Sequence, residues 1–199
     1  MSKLFLDQTA LVLLDYQRMQ IGVLPEQNRI ALEHRLKVLI KIAAAVQIPI
    51  VISTNLEGGA LGRSIQVVQD HAKGPHENRI QRAGAFNPFD DPAFGSAIGN
   101  LGRRTLLIAG FPTDVPVTLA SITATEMGFN VHALVDCCES PSETAHNVAI
   151  DRMRHAGVTP NGSISALAEM VRDLASPPGI EMMKIVAEEM IFAVDGPVA

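Results

Sequence analysis

Polar side chains that interrupt long apolar runs are the places in this chain where chemistry can occur. Asp15 closes the run Ala10-Leu-Val-Leu-Leu14. A carboxylate there can exchange a proton with a ligand, or it can simply cap a turn. Ser53-Thr54-Asn55, Pro112-Thr113-Asp114 and Asp136-Cys137 follow three further apolar runs. Cys137 and Cys138 are the only thiols. A thiolate is a strong nucleophile, but a buried free cysteine behaves as a small apolar residue. The six His residues show no metal-ligand spacing: His71 and His76 lie in a stretch containing Gly and Pro, and His146 and His155 share a predicted helix. Neither a metal nor another cofactor is expected.

The elements that must position these residues alternate along the chain. Strands are predicted over 10–14, 48–52, 106–109 and 131–135, and helices over 28–46, 92–101, 113–127, 142–155 and 163–174. Short runs that are apolar on both faces, alternating with amphipathic helices, indicate a parallel sheet covered on both sides. Ligand sites in such α/β sheets form beyond the carboxyl ends of the strands, which is where the four polar groups fall. After Ser176-Pro-Pro178, residues 179–194 repeat Ile180, Met183, Val186, Ala187, Met190, Ile191 and Val194 near helical spacing. Such a terminal helix can pack on its own domain or on a neighbouring subunit. The chain therefore divides into a domain over 1–178 and a helix and tail over 179–199.

At 199 residues the chain is long enough for one sizeable core. Hydrophobic residues make up 47% of it and charged residues 19%, and the mean hydropathy is +0.21. A surface this short of charge suits a homo-oligomer. The net charge of -5, without a basic run, argues against nucleic acid or an anionic membrane as partner. The absence of Trp and the single Tyr argue against a base-stacking platform. There is no signal-peptide core after Met1, no apolar run of membrane-spanning length and no disulfide framework, so a cytoplasmic location is expected.

Four segments, in order, resemble the isochorismatase-like cysteine hydrolase superfamily. They are Ala-Leu-Val-Leu-Leu-Asp-Tyr-Gln at 10–17, Arg-Ala-Gly-Ala-Phe-Asn-Pro-Phe-Asp-Asp at 82–91, Leu-Leu-Ile-Ala-Gly-Phe-Pro-Thr-Asp-Val-Pro-Val at 106–117, and Glu-Met-Gly-Phe-Asn-Val-His-Ala-Leu-Val-Asp at 126–136. The third is the most specific, and the match runs from about residue 8 to 175. The resemblance implies a three-layer, doubly wound α/β fold with a mainly parallel six-stranded sheet and helices on both faces.

It also implies a catalytic set of Asp, Lys and Cys, in which the Asp is a general base and the Cys attacks an amide or related carbon. The Asp position is Asp15, the Lys position is Arg82, and the Cys position is Pro116. Pro116 offers no nucleophile. With Thr113 as N-cap it falls in a first helical turn, where its missing N–H is tolerated. The family's oxyanion donors are the amide of the Cys residue and one beside a cis peptide, here Phe111-Pro112. Pro112 and Pro116 both lack an N–H, and losing one such donor typically costs about 10²–10³ in rate. Gln17, Asn55, Glu57, Phe86, Phe89 and Cys137 are the further pocket candidates.

Three functions follow. One is a pseudoenzyme that binds a small anionic molecule between Asp15 and Arg82. Another is a thiol-free hydrolase of the isochorismatase type using Asp15 as acid, against which Arg82 should lower the Asp15 pKa. The third is a structural oligomer.

Overall fold

Strands that are apolar on both faces must find backbone partners on both edges and helices above and below. The computed structural model, which describes residues 3–194, meets that demand with one six-stranded sheet. In chain order the elements are β1 (Thr9–Leu14), α1 (Arg18–Ile21), α2 (Glu26–Ala45), β2 (Ile50–Asn55), α3 (Gln66–His71), α4 (Lys73–Glu77), β3 (Ile80–Arg82) and α5 (Pro92–Asn100). They continue with β4 (Thr105–Gly110), a π-helical turn (Thr113–Val117), α6 (Thr118–Glu126), β5 (Asn130–Leu134), α7 (Glu143–His155), β6 (Thr159–Asn161), α8 (Ser163–Val171) and α9 (Pro177–Val194).

The strand order is β3-β2-β1-β4-β5-β6 and every pairing is parallel. The chain winds outward from β1 through β2 to β3, then returns to β4 and winds the other way. Right-handed crossovers then place helices on both faces. On one face α2 packs against α3, α8 and α9, and on the other α6 packs against α7. Both central strands are wholly buried. The order reverses between β1 and β4, and the crevice beyond their carboxyl ends is the switch point where such folds bind ligands.

The six-stranded sheet is parallel as expected, and wholly so. Several expectations shift. β3 and β6, three residues each, are too short to carry a sequence period. β2 runs from 50 to 55 rather than 48 to 52, because Ser53, Thr54 and Asn55 pair with β3. The predicted helix over 113–127 opens as a π-helical turn, and its N-cap is Pro112 rather than Thr113. The Thr113 hydroxyl instead shares a 2.9 Å hydrogen bond with His146 Nδ1.

The terminal helix starts at Pro177 and packs on α2 of its own chain. Its inward stripe contains Met182 and Ile185, whereas the predicted Ile180 and Met183 are exposed. The side chains of Met190, Ile191 and Val194, and residues 195–199, lie outside the described residues. No described helix is long and apolar enough to cross a membrane.

Candidate functional site

Asp15 is the first residue beyond β1, and it turns the chain with a left-handed backbone, φ 54°. Aspartate tolerates this conformation better than most side chains do. Its N–H donates to Ser53 O at 3.0 Å and its carbonyl accepts from Gln17 N at 2.7 Å. The side chain is almost wholly buried, and the Arg82 Nη2 donates to Oδ2. Oδ1 is buried with no protein partner.

Arg82, at the end of β3, has no exposed side-chain surface. Its Nε donates to Ser53 Oγ at 3.0 Å and its Nη1 to the carbonyl of Ala85. A guanidinium can engage three partners in this way because its donors diverge in a plane. Burial raises the Asp15 pKa, and the charge and hydrogen bond of Arg82 offset that only in part. Arg82 lowers the pKa as expected, but the net shift is upward, since removing a carboxylate from water outweighs one buried cation here. The direct Asp15–Arg82 bond also leaves no gap between the two groups for an anion.

The space beside Asp15 is a cavity of about 260 Å³ over the carboxyl ends of β1, β2 and β4. Asp15, Gln20, Asn55, Leu56, Leu61, Gly84, Phe86, Pro112, Val115 and Pro116 line it. Pro112 and Pro116 stand on the wall because β4 ends beside β1, and the Phe111-Pro112 peptide there is cis. Among the other expected site residues, Phe111 is buried and donates its N–H to Leu14 O at 3.0 Å, while Thr113 N–H donates to Glu139 O at 2.9 Å.

Four pocket candidates do not line the cavity. Gln17 is a brace: Nε2 donates to Asn55 O at 2.9 Å and Gly62 O at 2.6 Å, and Oε1 accepts from Asn55 N at 2.8 Å. Glu57 turns away to a two-pronged pair with Arg79, at 2.7 Å for each hydrogen bond, and also accepts from Thr54 Oγ1 at 2.8 Å. Phe89 packs edge-on against Phe94, with ring centroids 5.0 Å apart. Cys137 is buried under the Tyr16 hydroxyl, which donates to its carbonyl. Burial pushes both thiols up, that of Cys138 to about 12, so neither supplies a thiolate near neutrality.

Sequence reasoning missed Gln20, Leu56, Leu61, Gly84 and Val115 as wall residues, and Ser53 as a partner of Arg82. Only Gly84 and Val115 lay inside quoted motifs. Leu56 and Leu61 reach the cavity through a loop that carries no period, Gln20 sits on the four-residue α1, and Ser53 lies in β2. Among the described residues, no group of three or more His, Cys, Asp or Glu side chains is arranged to hold a metal ion.

The fold and this geometry can be set beside known proteins. YcaC of Escherichia coli strain K12, a probable hydrolase, is 26% identical over 167 residues, covering 84% of this chain and 79% of that protein. The crystal structure of E. coli YcaC, an octameric hydrolase of unknown specificity, matches 98% of this chain and 96% of its own with a TM-score of 0.86 and 23% identity. YcaC from Pseudomonas aeruginosa, with hexane-2,5-diol and covalent acrylamide, matches over 97% and 96% with a TM-score of 0.84 and 22% identity. Residues 9–164 match the model of the Isochorismatase domain, which is most of the chain, and the protein belongs to the isochorismatase-like hydrolase family.

Proposed function

We propose that this chain is a small-molecule-binding member of the family in which the cysteine route of amide hydrolysis is closed, and that the cavity at Asp15 is its ligand site. The observation that carries the reading is the wall shared by Asp15, Pro112 and Pro116. At the nucleophile position implied by the family resemblance there is a ring without a thiol. Neither proline has an N–H to offer a developing oxyanion. The buried Cys137 and Cys138 do not line the cavity and so do not replace it.

The test is a hydrolysis assay over amides and imides. No turnover above the uncatalysed rate is expected. Turnover that vanishes in both Asp15→Ala and Asp15→Asn would overturn the reading. Turnover gained by Pro116→Cys would locate the closure at that one position.

A second reading, thiol-free hydrolysis of a vinyl ether with Asp15 as acid, is favoured by the raised Asp15 pKa. A carboxyl that keeps its proton to higher pH is a better general acid near neutrality. Activity of this kind should fall as pH rises through the Asp15 pKa. Absence of pyruvate release from isochorismate at any pH in the stable range would remove it.

The chain is also proposed to form a homo-oligomer, as E. coli YcaC does. Large apolar side chains at Met19, Val23, Ile30 and Phe86 stand exposed on the single chain. Light scattering at the mass of one chain would overturn this part.

A further inference from the structure

We infer that the Asp15 cavity selects a neutral or cationic small molecule that donates at least two hydrogen bonds, and that Asn55 is the specificity residue that receives one of them. The inference rests on the cavity being the ligand site. Two residues of its wall, Asp15 and Asn55, each hold a buried side-chain oxygen without a protein donor, Oδ1 in both. These residues are only 3% and 6% exposed. Buried acceptors left unpaired are costly and uncommon, so two in residues of one small wall mark a place where a ligand supplies the donors.

The orientation of the Asn55 amide is set by its neighbour. Nδ2 donates to Ala85 O at 3.1 Å, and reversing the amide would bring oxygen against oxygen. Oδ1 is therefore the free atom. Gln20, also a residue of the wall, has an unpartnered Oε1 and no hydrogen bond that fixes its amide, so it can offer either a donor or an acceptor.

Several donors of the wall are already engaged. The amides of Asp15, Gln20, Asn55, Leu56 and Val115 are engaged by Ser53 O, Gln17 O, Gln17 Oε1, Arg82 O and Pro112 O. Pro112 and Pro116 have no N–H. Arg82, the cation bonded to Asp15, has Nε, Nη1 and Nη2 all engaged and is not exposed. An anion entering here meets the Asp15 carboxyl and the Asn55 amide oxygen. Leu56, Leu61, Phe86 and Val115 make the rest of the wall apolar, which suits a compact body carrying a polar end.

The experiment titrates the full chain by calorimetry with four probes of one shape. Benzamide and benzamidine present N–H donors, benzoate is an anion without them, and N,N-dimethylbenzamide is neutral without them. Benzamide and benzamidine are expected to bind at least about tenfold more tightly than the other two, the usual worth of a hydrogen bond to a buried acceptor. Asn55→Leu should weaken benzamide about tenfold and leave benzoate unchanged. Benzoate or N,N-dimethylbenzamide binding as tightly as benzamide would overturn the selection while leaving the cavity a ligand site. Unchanged benzamide affinity in Asn55→Leu would overturn the role of Asn55. Failure of all four probes at millimolar concentration would overturn both the selection and the ligand-site reading. The wild-type panel requires no variant to fold.

Discussion

Arg82 carries its charge without any exposed side-chain surface, and among the described residues its counter-charge comes from Asp15. Removing either partner leaves an uncompensated buried ion. Arg82→Met is thus expected to lower unfolding stability by roughly 3–5 kcal/mol in chemical denaturation. Asp15 itself is costly to ionise where it is buried. Its folded pKa lies above the ordinary 3.8, so the native state holds the proton more tightly than the unfolded chain, and stability falls as pH rises from there through the raised value. Glu57 has the opposite sign. The hydrogen bonds from Arg79 hold its pKa below the ordinary 4.5. Its contribution is present above 4.5 and lost as pH falls through the lowered value. Glu57→Gln should cost about 1–3 kcal/mol at neutral pH, and the difference from wild type should vanish in acid. A cost that stays constant across the pH range would show that the ion pair is not its source.

Among the elements, β1 and β4 approach so closely that their carboxyl ends form one platform. Gly110 lies opposite Leu14 at that point. A Cβ built on Gly110 would sit 2.5 Å from Leu14 O and 2.7 Å from Leu14 Cβ. Gly110→Ala must therefore push apart the strands that lead into Asp15 and Pro112. A loss of about 1–3 kcal/mol is expected, as for other overpacked interiors. A full-stability Gly110→Ala variant would show that β4 can shift freely. The Gln17 brace acts at the same level. It ties the end of β1 to Asn55 and to the loop at Gly62, so the wall that carries Asn55 is held by the chain that carries Asp15.

At the scale of the whole molecule, α9 closes the face of the sheet formed by α2 and α8. Met182 and Ile185 are buried beneath it, and Glu189 meets Lys37 at 2.9 Å and Lys41 at 2.8 Å. The apolar burial dominates, since partly exposed ion pairs contribute little. A chain ending at Ser176 should lose several kcal/mol, about 1.5–3 for each large apolar side chain uncovered, seen as a lower denaturation midpoint. A Lys41→Ala variant should change stability by less than about 1 kcal/mol. The reverse ranking would mean that α9 is held by charge.

What the residues alone determined was the class of fold and the address of the candidate site. Continuous apolar runs ending in polar residues demand a covered parallel sheet, and the end of such a strand is where Asp15 had to emerge. The motif at 106–117 carried the family, because strand, turn and helix start are local and each leaves its residues in order. The tertiary structure decided everything that depends on distance through space. Whether Arg82 faces solvent or Asp15, whether burial or charge prevails at that carboxyl, and which loop residues close the cavity are set by neighbours far apart in sequence. Gln17 is 38 residues from Asn55, and Asp15 is 67 from Arg82. The strands β3 and β6, three residues each, likewise exist only because a longer neighbour supplies their ladder. Desolvation and hydrogen-bond pairing act over a few ångströms of space, and no periodicity along the chain reports them.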